Sequence, residues 1–198
     1  MTYIDSIKAN FSSITEERKL LFSPLIKYIK QKKEQDKNCD LILICTHNSR
    51  RSHFAQIWAQ IAADYYGLSF VTTFSGGTEA TAFNPRAVKA LQTIGLQIGV
   101  DDCSKPNPIY TIQRENGKTM NAFSKAFDHD TNPQQKFAAV MTCDHADENC
   151  PFVPGAEVRI PLYYQDPKES DDTAEESKTY AARSLQIATE FFYIFSQV

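Results

Sequence analysis

The sequence has 198 residues, of which 42% are hydrophobic and 23% are charged, and its formal net charge is −3. This length and balance fit one globular domain with a sizeable core, and a slightly acidic chain is not expected to bind nucleic acid or a membrane surface. The sequence shows neither a secretion signal nor an apolar run of membrane-spanning length. We therefore expect a cytoplasmic protein in a reducing compartment, whose five cysteines serve chemistry rather than a disulfide framework.

Residues 1–38 are predicted to form a helical N-terminal extension to a catalytic domain over residues 39–198. Ser23-Pro24 has the pattern of a helix cap followed by a first-turn proline. Apolar residues with the spacing of one helix face surround this dipeptide: Leu21, Leu25, Ile26 and Ile29.

From residue 39 onward, short apolar strands alternate with helices. The predicted strands are residues 40–45, 68–75, 137–143 and 157–162, and the predicted helices are residues 52–65, 84–94 and about 173–195. This alternation is typical of an α/β fold. We predict three layers, with a four-stranded parallel sheet and helices on both faces.

The segment 101–135 interrupts the alternation. Asn116-Gly117 lies between two apolar runs, residues 109–112 and 120–123, which is the pattern of a β-hairpin. We predict an inserted hairpin or flap, and a surface excursion without a function is an equal alternative.

The first predicted strand ends at Cys45, and a short polar segment follows it into a helix. This segment has the pattern Cys-x5-Arg-Ser and ends with Arg51 and Ser52. Free N–H groups at a helix start form an anion pocket, and the guanidinium of Arg51 matches a tetrahedral oxyanion. Both features favour the thiolate form of Cys45. The pattern predicts a nucleophile beside a phosphate-like ion, and the alternative is a buried structural cysteine followed by a helix cap.

Two further candidate sites follow predicted strands at the sheet edge where α/β proteins bind ligands. Cys143 and Cys150 follow the third strand and can meet if their loop folds back. The alternatives are two unrelated thiols or a metal site with His145, but the spacing fits no common zinc pattern, so no metal is expected. Asp166, which precedes Pro167, follows the fourth strand and could protonate a leaving oxygen.

With these residues, the chain resembles the low-molecular-weight protein tyrosine phosphatase superfamily and, within it, the thioredoxin-coupled arsenate reductases. The resemblance starts near residue 40 and rests on residues 45–52, 74–77, 84–87, 143–151 and 166–167. It implies that Cys45 is the nucleophile and Asp166 the acid, and that Asn48 and Ser52 stabilise the loop and the thiolate. The residues implied to bind the oxyanion are Thr46, His47, Asn48, Ser49, Arg50, Arg51 and Ser52.

Three residues depart from the pattern of the family. His47 replaces a usual glycine, so the loop backbone is expected to differ there. Gln56 stands where related reductases often carry a glutamate, which weakens the case for a cation site beside the loop. Lys168 follows Asp166-Pro167 where tyrosine phosphatases often place an aromatic residue, which argues against phosphotyrosine.

Three functions are compatible with these residues, and none of them requires a cofactor. In the preferred one, a thiol-dependent arsenate reductase, Cys45 attacks arsenate and Cys143 attacks Cys45 to release arsenite. Cys150 then takes over the disulfide for thioredoxin or a similar thiol reductant. The second is a phosphatase that hydrolyses a phosphocysteine, and the third is a non-catalytic oxyanion-binding module. The Cys143/Cys150 pair separates the first two, because a hydrolase does not need it.

Overall fold

The computed structural model describes residues 3–149 and 152–198. Its helices are α1 (Tyr3–Ala9), α2 (Glu16–Glu34), α3 (Arg51–Tyr65), α4 (Pro85–Thr93), α5 (Asp144–Asn149) and α6 (Glu176–Ser196). Short 3-10 turns occupy Asn10–Ser13, Glu115–Gly117 and Pro167–Ser170. The strands are β1 (Cys39–Cys45), β2 (Val71–Gly77), β3 (Ile98–Val100), β4 (Tyr110–Gln113), β5 (Thr119–Ala122), β6 (Phe137–Met141) and β7 (Ala156–Pro161). No helix within the described ranges is long and apolar enough to cross a membrane.

The main sheet has the strand order β2-β1-β6-β7, and every neighbouring pair is parallel. Leu41 and Leu43 of β1 lie in the apolar core that contains α3 and α6, whereas Ile42 and Ile44 lie in a second core with Ala146 of α5. The central strand is therefore covered on both faces, as is usual for a parallel sheet. The predicted α/β fold with a four-stranded parallel sheet flanked by helices is confirmed.

A second, antiparallel sheet has the order β3-β4-β5. The hairpin β4–β5 lies in the segment 101–135, and its turn contains Gly117 with a φ of 72°. Strand β3 lies outside the predicted flap and was missed, because three residues are too few to show an alternating pattern. Arg114 joins the hairpin to α3 by a bidentate ion pair with Asp64 at 2.6 and 2.7 Å.

The predicted helix start at Ser23-Pro24 is wrong. Helix α2 begins eight residues earlier in the chain, at Glu16, and Thr15 caps it by accepting a hydrogen bond from the N–H of Arg18 at 3.2 Å. Pro24 lies inside the helix at an exposed position, where water can satisfy the carbonyl that has lost its helical donor. Leu21, which belongs to the predicted apolar helix face, is 47% exposed.

The N-terminal helices share the main apolar core with the remainder of the chain. Ile7 of α1 and Phe22, Leu25 and Ile29 of α2 are fully buried in the same cluster as residues of α3 and α6. The ammonium of Lys32 also pairs with Glu157 of β7 at 2.6 Å. The extension is thus packed against the sheet and α6.

Candidate active site

The three strands β1, β6 and β7 end at the same edge of the sheet. Cys45 is the last residue of β1, Cys143 follows β6, and Asp166 lies in the segment after β7. The hydroxyl and the N–H of Thr142 both bond to the carbonyl oxygen of Ile44, at 2.8 and 2.6 Å. These bonds hold the ends of β1 and β6 together and set the two cysteine-bearing segments beside each other.

The loop that follows Cys45 is held from outside by its carbonyl oxygens. Three of these carbonyls accept hydrogen bonds from backbone N–H groups: Cys45 from Thr78, Thr46 from Glu79, and Ser49 from Asn84. A fourth, the carbonyl of His47, accepts from the hydroxyls of Thr81 and Ser124. In a trans peptide, the N–H after each carbonyl points the opposite way. The amides of residues 46, 47, 48 and 50 therefore face the interior of the loop, which is the arrangement of an anion nest.

Asn48 and Ser52 form a chain of hydrogen bonds to the sulfur of Cys45. Asn48 has a φ of 42°, a left-handed conformation that asparagine tolerates better than most residues. Its Nδ2 donates to the Oγ of Ser52 at 2.8 Å, and that Oγ lies 3.0 Å from the buried Sγ of Cys45. Because Ser52 accepts from Asn48, its own proton is available for the sulfur, and this donation stabilises an anionic sulfur.

Arg51 and Asp166 lie together at the mouth of the loop. The Nη2 of Arg51 is 2.8 Å from the Oδ2 of Asp166, and its Nη1 donates to the carbonyl of Tyr164 at 3.1 Å. Asp166 also caps the turn Pro167–Ser170 by accepting from the N–H of Lys168 at 3.1 Å. An open cleft of about 370 Å³ adjoins this pair.

Cys143 is buried and is connected to the Cys45 loop through Thr46. The Oγ1 of Thr46 lies 3.5 Å from the Sγ of Cys143 and 3.2 Å from the Nδ1 of His145. The N–H of Ala146 donates to the same sulfur at 3.4 Å. Cys150, its predicted partner, lies outside the described residues. Within residues 3–149 and 152–198, no cluster of three histidine, cysteine or acidic side chains could hold a metal ion.

Known proteins are similar to this chain in sequence and in fold. The arsenate reductase of Halalkalibacterium halodurans is 31% identical over 137 residues, which is 69% of this chain and 79% of the relative. The chain belongs to the arsenate reductase family. A second member, the arsenate reductase of Bacillus subtilis, is 28% identical over 72% of this chain and 84% of its own.

Solved structures of a low-molecular-weight phosphatase and of an arsenate reductase share the fold of this chain. A low-molecular-weight phosphotyrosine phosphatase from Vibrio cholerae O395 has a TM-score of 0.51 and 15% identity, over 79% of this chain and 94% of its own. An arsenate reductase in the phosphate-binding state has a TM-score of 0.50 and 14% identity, over 80% of this chain and 98% of its own. No family model matches the chain.

The side chain of Arg50 is bound outside the loop. Its Nε donates to the hydroxyl of Tyr180 at 2.6 Å, and its Nη2 pairs with Asp171 at 2.9 Å. The guanidinium is thus bound to α6 and to the segment before it, and Arg50 offers the loop only its backbone amide. His47, in place of the family glycine, is not among the described residues with positive φ, so its side chain is accommodated without strain.

Sequence reasoning missed two supports of the loop that come from the segment after the hairpin. Ser124 donates its hydroxyl to the carbonyl of His47 at 3.0 Å, and the N–H of Lys125 donates to the Oδ1 of Asn48 at 2.9 Å. The side chain of Lys125 is buried, which lowers the pKa of its ammonium to about 8. No sequence signal marks these bonds, because they join segments that are distant along the chain.

Gly77 is a third support, for which the resemblance over residues 74–77 implied no specific role. A Cβ atom at this position would lie 2.7 Å from both the N of Asn48 and the O of Thr46, and 2.3 Å from the O of Glu79. These neighbours are backbone atoms, so they cannot move aside without displacing the oxyanion loop.

We expect Gly77→Ala to destabilise the protein by about 1–3 kcal/mol and to weaken phosphate binding, because the new methyl group overlaps the loop backbone. Gly99→Ala is the control, since its Cβ would meet nothing closer than 4.0 Å. Thermal unfolding and competitive inhibition by inorganic phosphate measure the two effects. Wild-type phosphate inhibition in a folded Gly77→Ala variant would show that the loop tolerates the methyl group.

Proposed function

We propose that the protein reduces arsenate to arsenite, with Cys45 as the nucleophile and Cys143 as the thiol that releases the product. The observation that carries this proposal is the contact of the buried Sγ of Cys143 with Thr46, the residue next to Cys45. A phosphatase of this fold needs the loop, Arg51 and Asp166, but it has no use for a second thiol beside the first.

In the first step, arsenate lies in the nest of loop amides and against Arg51. The thiolate of Cys45 attacks arsenic, so that an S–As bond forms while an As–O bond breaks. The leaving oxygen takes a proton from the carboxyl of Asp166 and departs as water. The contact with Arg51 places the carboxyl group of Asp166 at the mouth of the loop, where a leaving oxygen would lie. Oxyanion binding would compete for the same guanidinium.

In the second step, the thiolate of Cys143 attacks the sulfur of Cys45. An S–S bond forms, the S–As bond breaks, and arsenic keeps the electron pair and leaves as arsenite. The N–H of Ala146 and the hydroxyl of Thr46 lie within hydrogen-bond range of the Cys143 sulfur and can stabilise its anion. By resemblance to the family, Cys150 then attacks Cys143, frees Cys45 and presents the new disulfide to thioredoxin or a similar dithiol.

The second candidate is a phosphate monoester hydrolase. The whole first half-reaction is common to both activities, because Cys45, Arg51 and Asp166 serve phosphorus as well as arsenic. The open cleft of about 370 Å³ beside Arg51 leaves room for an ester group. The non-catalytic binding module is the weakest alternative, since it would need neither the thiol of Cys45 nor the carboxyl group of Asp166.

Two assays of the same preparation distinguish an arsenate reductase from a phosphatase. We expect arsenate-dependent oxidation of thioredoxin, and slower hydrolysis of p-nitrophenyl phosphate by the same loop. Ester hydrolysis without arsenate-dependent thiol oxidation would assign the protein to the phosphatases. Failure of both assays in folded protein would favour a binding module.

We expect Asp166→Asn to lower kcat for phenyl phosphate by roughly 10²–10⁴-fold, the usual contribution of a general acid. The loss should be smaller for p-nitrophenyl phosphate, because nitrophenolate leaves without a proton. Glu169→Gln, which removes a neighbouring carboxylate from the same cleft, is the control. Equal losses with both esters would remove Asp166 from the role of acid.

A further inference from the structure

Arg18 is the residue through which the N-terminal extension contacts the segment that carries Asp166. It lies in the first turns of α2 and forms a bidentate ion pair with Glu190 of α6, at 3.0 and 2.8 Å. The side chain of Glu190 is only 4% exposed, and the Nε2 of Gln186 donates to it at 3.1 Å. Charge-assisted bonds of this kind fix a guanidinium in position and direction.

The same guanidinium extends to the segment between β7 and Asp166. Its Nη2 donates to the carbonyl of Tyr163 at 3.1 Å, and its carbon lies 5.0 Å from the ring centre of the buried Tyr164. Arg18 thus holds the segment at two successive residues, by a hydrogen bond to the backbone of Tyr163 and by a cation–π contact with the ring of Tyr164.

Arg51 holds the same segment from the active-site side. It donates to the carbonyl of Tyr164 and pairs with Asp166. Arg18 and Arg51 therefore bind consecutive carbonyls, those of Tyr163 and Tyr164, from two different parts of the molecule. The backbone between them leads directly to Asp166, so a displacement at Tyr163 is transmitted to the carboxyl group and to its contact with Arg51.

We propose that Arg18 is a positioning residue, through which the N-terminal extension holds Asp166 in place for proton transfer. The inference rests on Asp166 acting as the acid, and it holds for arsenate and for phosphate esters alike. The extension then contributes to turnover without touching the substrate. Arg18 acts on the step that needs the acid rather than directly on oxyanion binding, because the hydrogen bonds of its side chain go to Glu190 and Tyr163 and not to the loop or to Arg51.

Two variants separate the contact with Tyr163 from the ion pair with Glu190. Glu190→Gln removes the ion pair but leaves Arg18 able to donate to Tyr163. Adding Arg18→Gln to Glu190→Gln removes the contact with Tyr163 as well, without leaving a buried carboxylate unpaired. The double variant Lys32→Met with Glu157→Gln is a matched control, since it breaks a different ion pair of α2, the one with β7, at 2.6 Å.

We expect the Arg18→Gln/Glu190→Gln protein to show about a tenfold lower kcat than Glu190→Gln, with arsenate and with phenyl phosphate. KM and the inhibition constant of inorganic phosphate should stay within about twofold, and the loss should be smaller with p-nitrophenyl phosphate. The Lys32→Met/Glu157→Gln control should lower the melting temperature without changing the ester ratio, which is kcat for phenyl phosphate divided by kcat for p-nitrophenyl phosphate. Arg18→Lys, which keeps a charge beside Glu190, should have a kcat between those of the wild-type protein and the Arg18→Gln/Glu190→Gln protein.

Hydrogen exchange of the full-length variants gives a readout that does not depend on turnover. Amides in residues 163–170 should exchange faster in Arg18→Gln/Glu190→Gln than in Glu190→Gln, while those of α3 stay protected. Unchanged exchange in this segment, or an equal loss of kcat in the Lys32 control, would overturn the proposal. If Asp166→Asn also leaves the ester ratio unchanged, the acid assignment itself fails. If Asp166→Asn changes the ratio but the Arg18 variant does not, only the role of Arg18 fails.

Discussion

Replacing Cys45 with serine is expected to abolish arsenate reduction and phosphate-ester hydrolysis together, by a factor on the order of 10⁶, which is typical for loss of a covalent nucleophile. A hydroxyl at neutral pH is a far weaker nucleophile than a thiolate. The fold should persist, because serine is close to cysteine in size and Ser52 lies within hydrogen-bond distance. Steady-state assays of both activities measure the loss, and circular dichroism checks the fold.

Cys103→Ser is the matched control for Cys45→Ser. Cys103 is exposed, outside the site, and its replacement should leave both activities at the wild-type level. Cys39 is no alternative nucleophile, because it lies at the opposite end of β1 and burial raises its pKa to about 12. Substantial turnover by folded Cys45→Ser protein would exclude Cys45 from the mechanism.

Replacing Cys143 with serine is expected to separate the two activities. Arsenate reduction should stop, because no thiol remains to attack the Cys45 adduct, whereas ester hydrolysis should continue because water resolves a phosphocysteine. The serine should be tolerated in the fold, since Thr46 and the N–H of Ala146 can bond to its hydroxyl. The ratio of the two rates in one preparation is the measurement, again with Cys103→Ser as the control.

Cys150→Ser extends the test to the second half of the relay. We expect about one turnover of arsenate, after which a disulfide between Cys45 and Cys143 accumulates and is detected by mass spectrometry of the digested protein. Full multiple turnover with either Cys143 or Cys150 replaced would contradict the relay and favour the phosphatase.

The sequence was sufficient to predict the strands of the main sheet and the polar loop after Cys45, because each is a run of consecutive residues. An apolar strand, a polar loop and an amphipathic helix follow one another between residues 39 and 65, and their order alone places Cys45 at a sheet edge. The position of Asp166 followed from the same rule about strand ends. Helix α2 was misread, because proline inside an exposed helix face has the same local pattern as proline at a helix start.

The roles of Arg50, Ser124 and Arg18 could not be predicted, because each depends on a partner distant in sequence. Arg50 is adjacent to Arg51, and only the position of Tyr180 in α6 shows that its guanidinium turns away from the loop. Ser124 supports His47 from the segment after the hairpin, and Arg18 contacts Tyr163 from the extension. Local patterns contain no information about such pairs.

The order of strands in the main sheet also determines how the protein can fold. Strand β1 pairs with β6, so that residue 40 lies beside residue 137 at the centre of the sheet. Such non-local pairing has a large loop-closure entropy and makes folding slow. Until β6 joins the sheet, Cys143 is exposed, and an oxidant such as dissolved oxygen can join it in a disulfide to another cysteine of the chain. Refolding of the denatured enzyme therefore requires a reductant throughout, and oxidation of the unfolded chain traps it before the sheet closes.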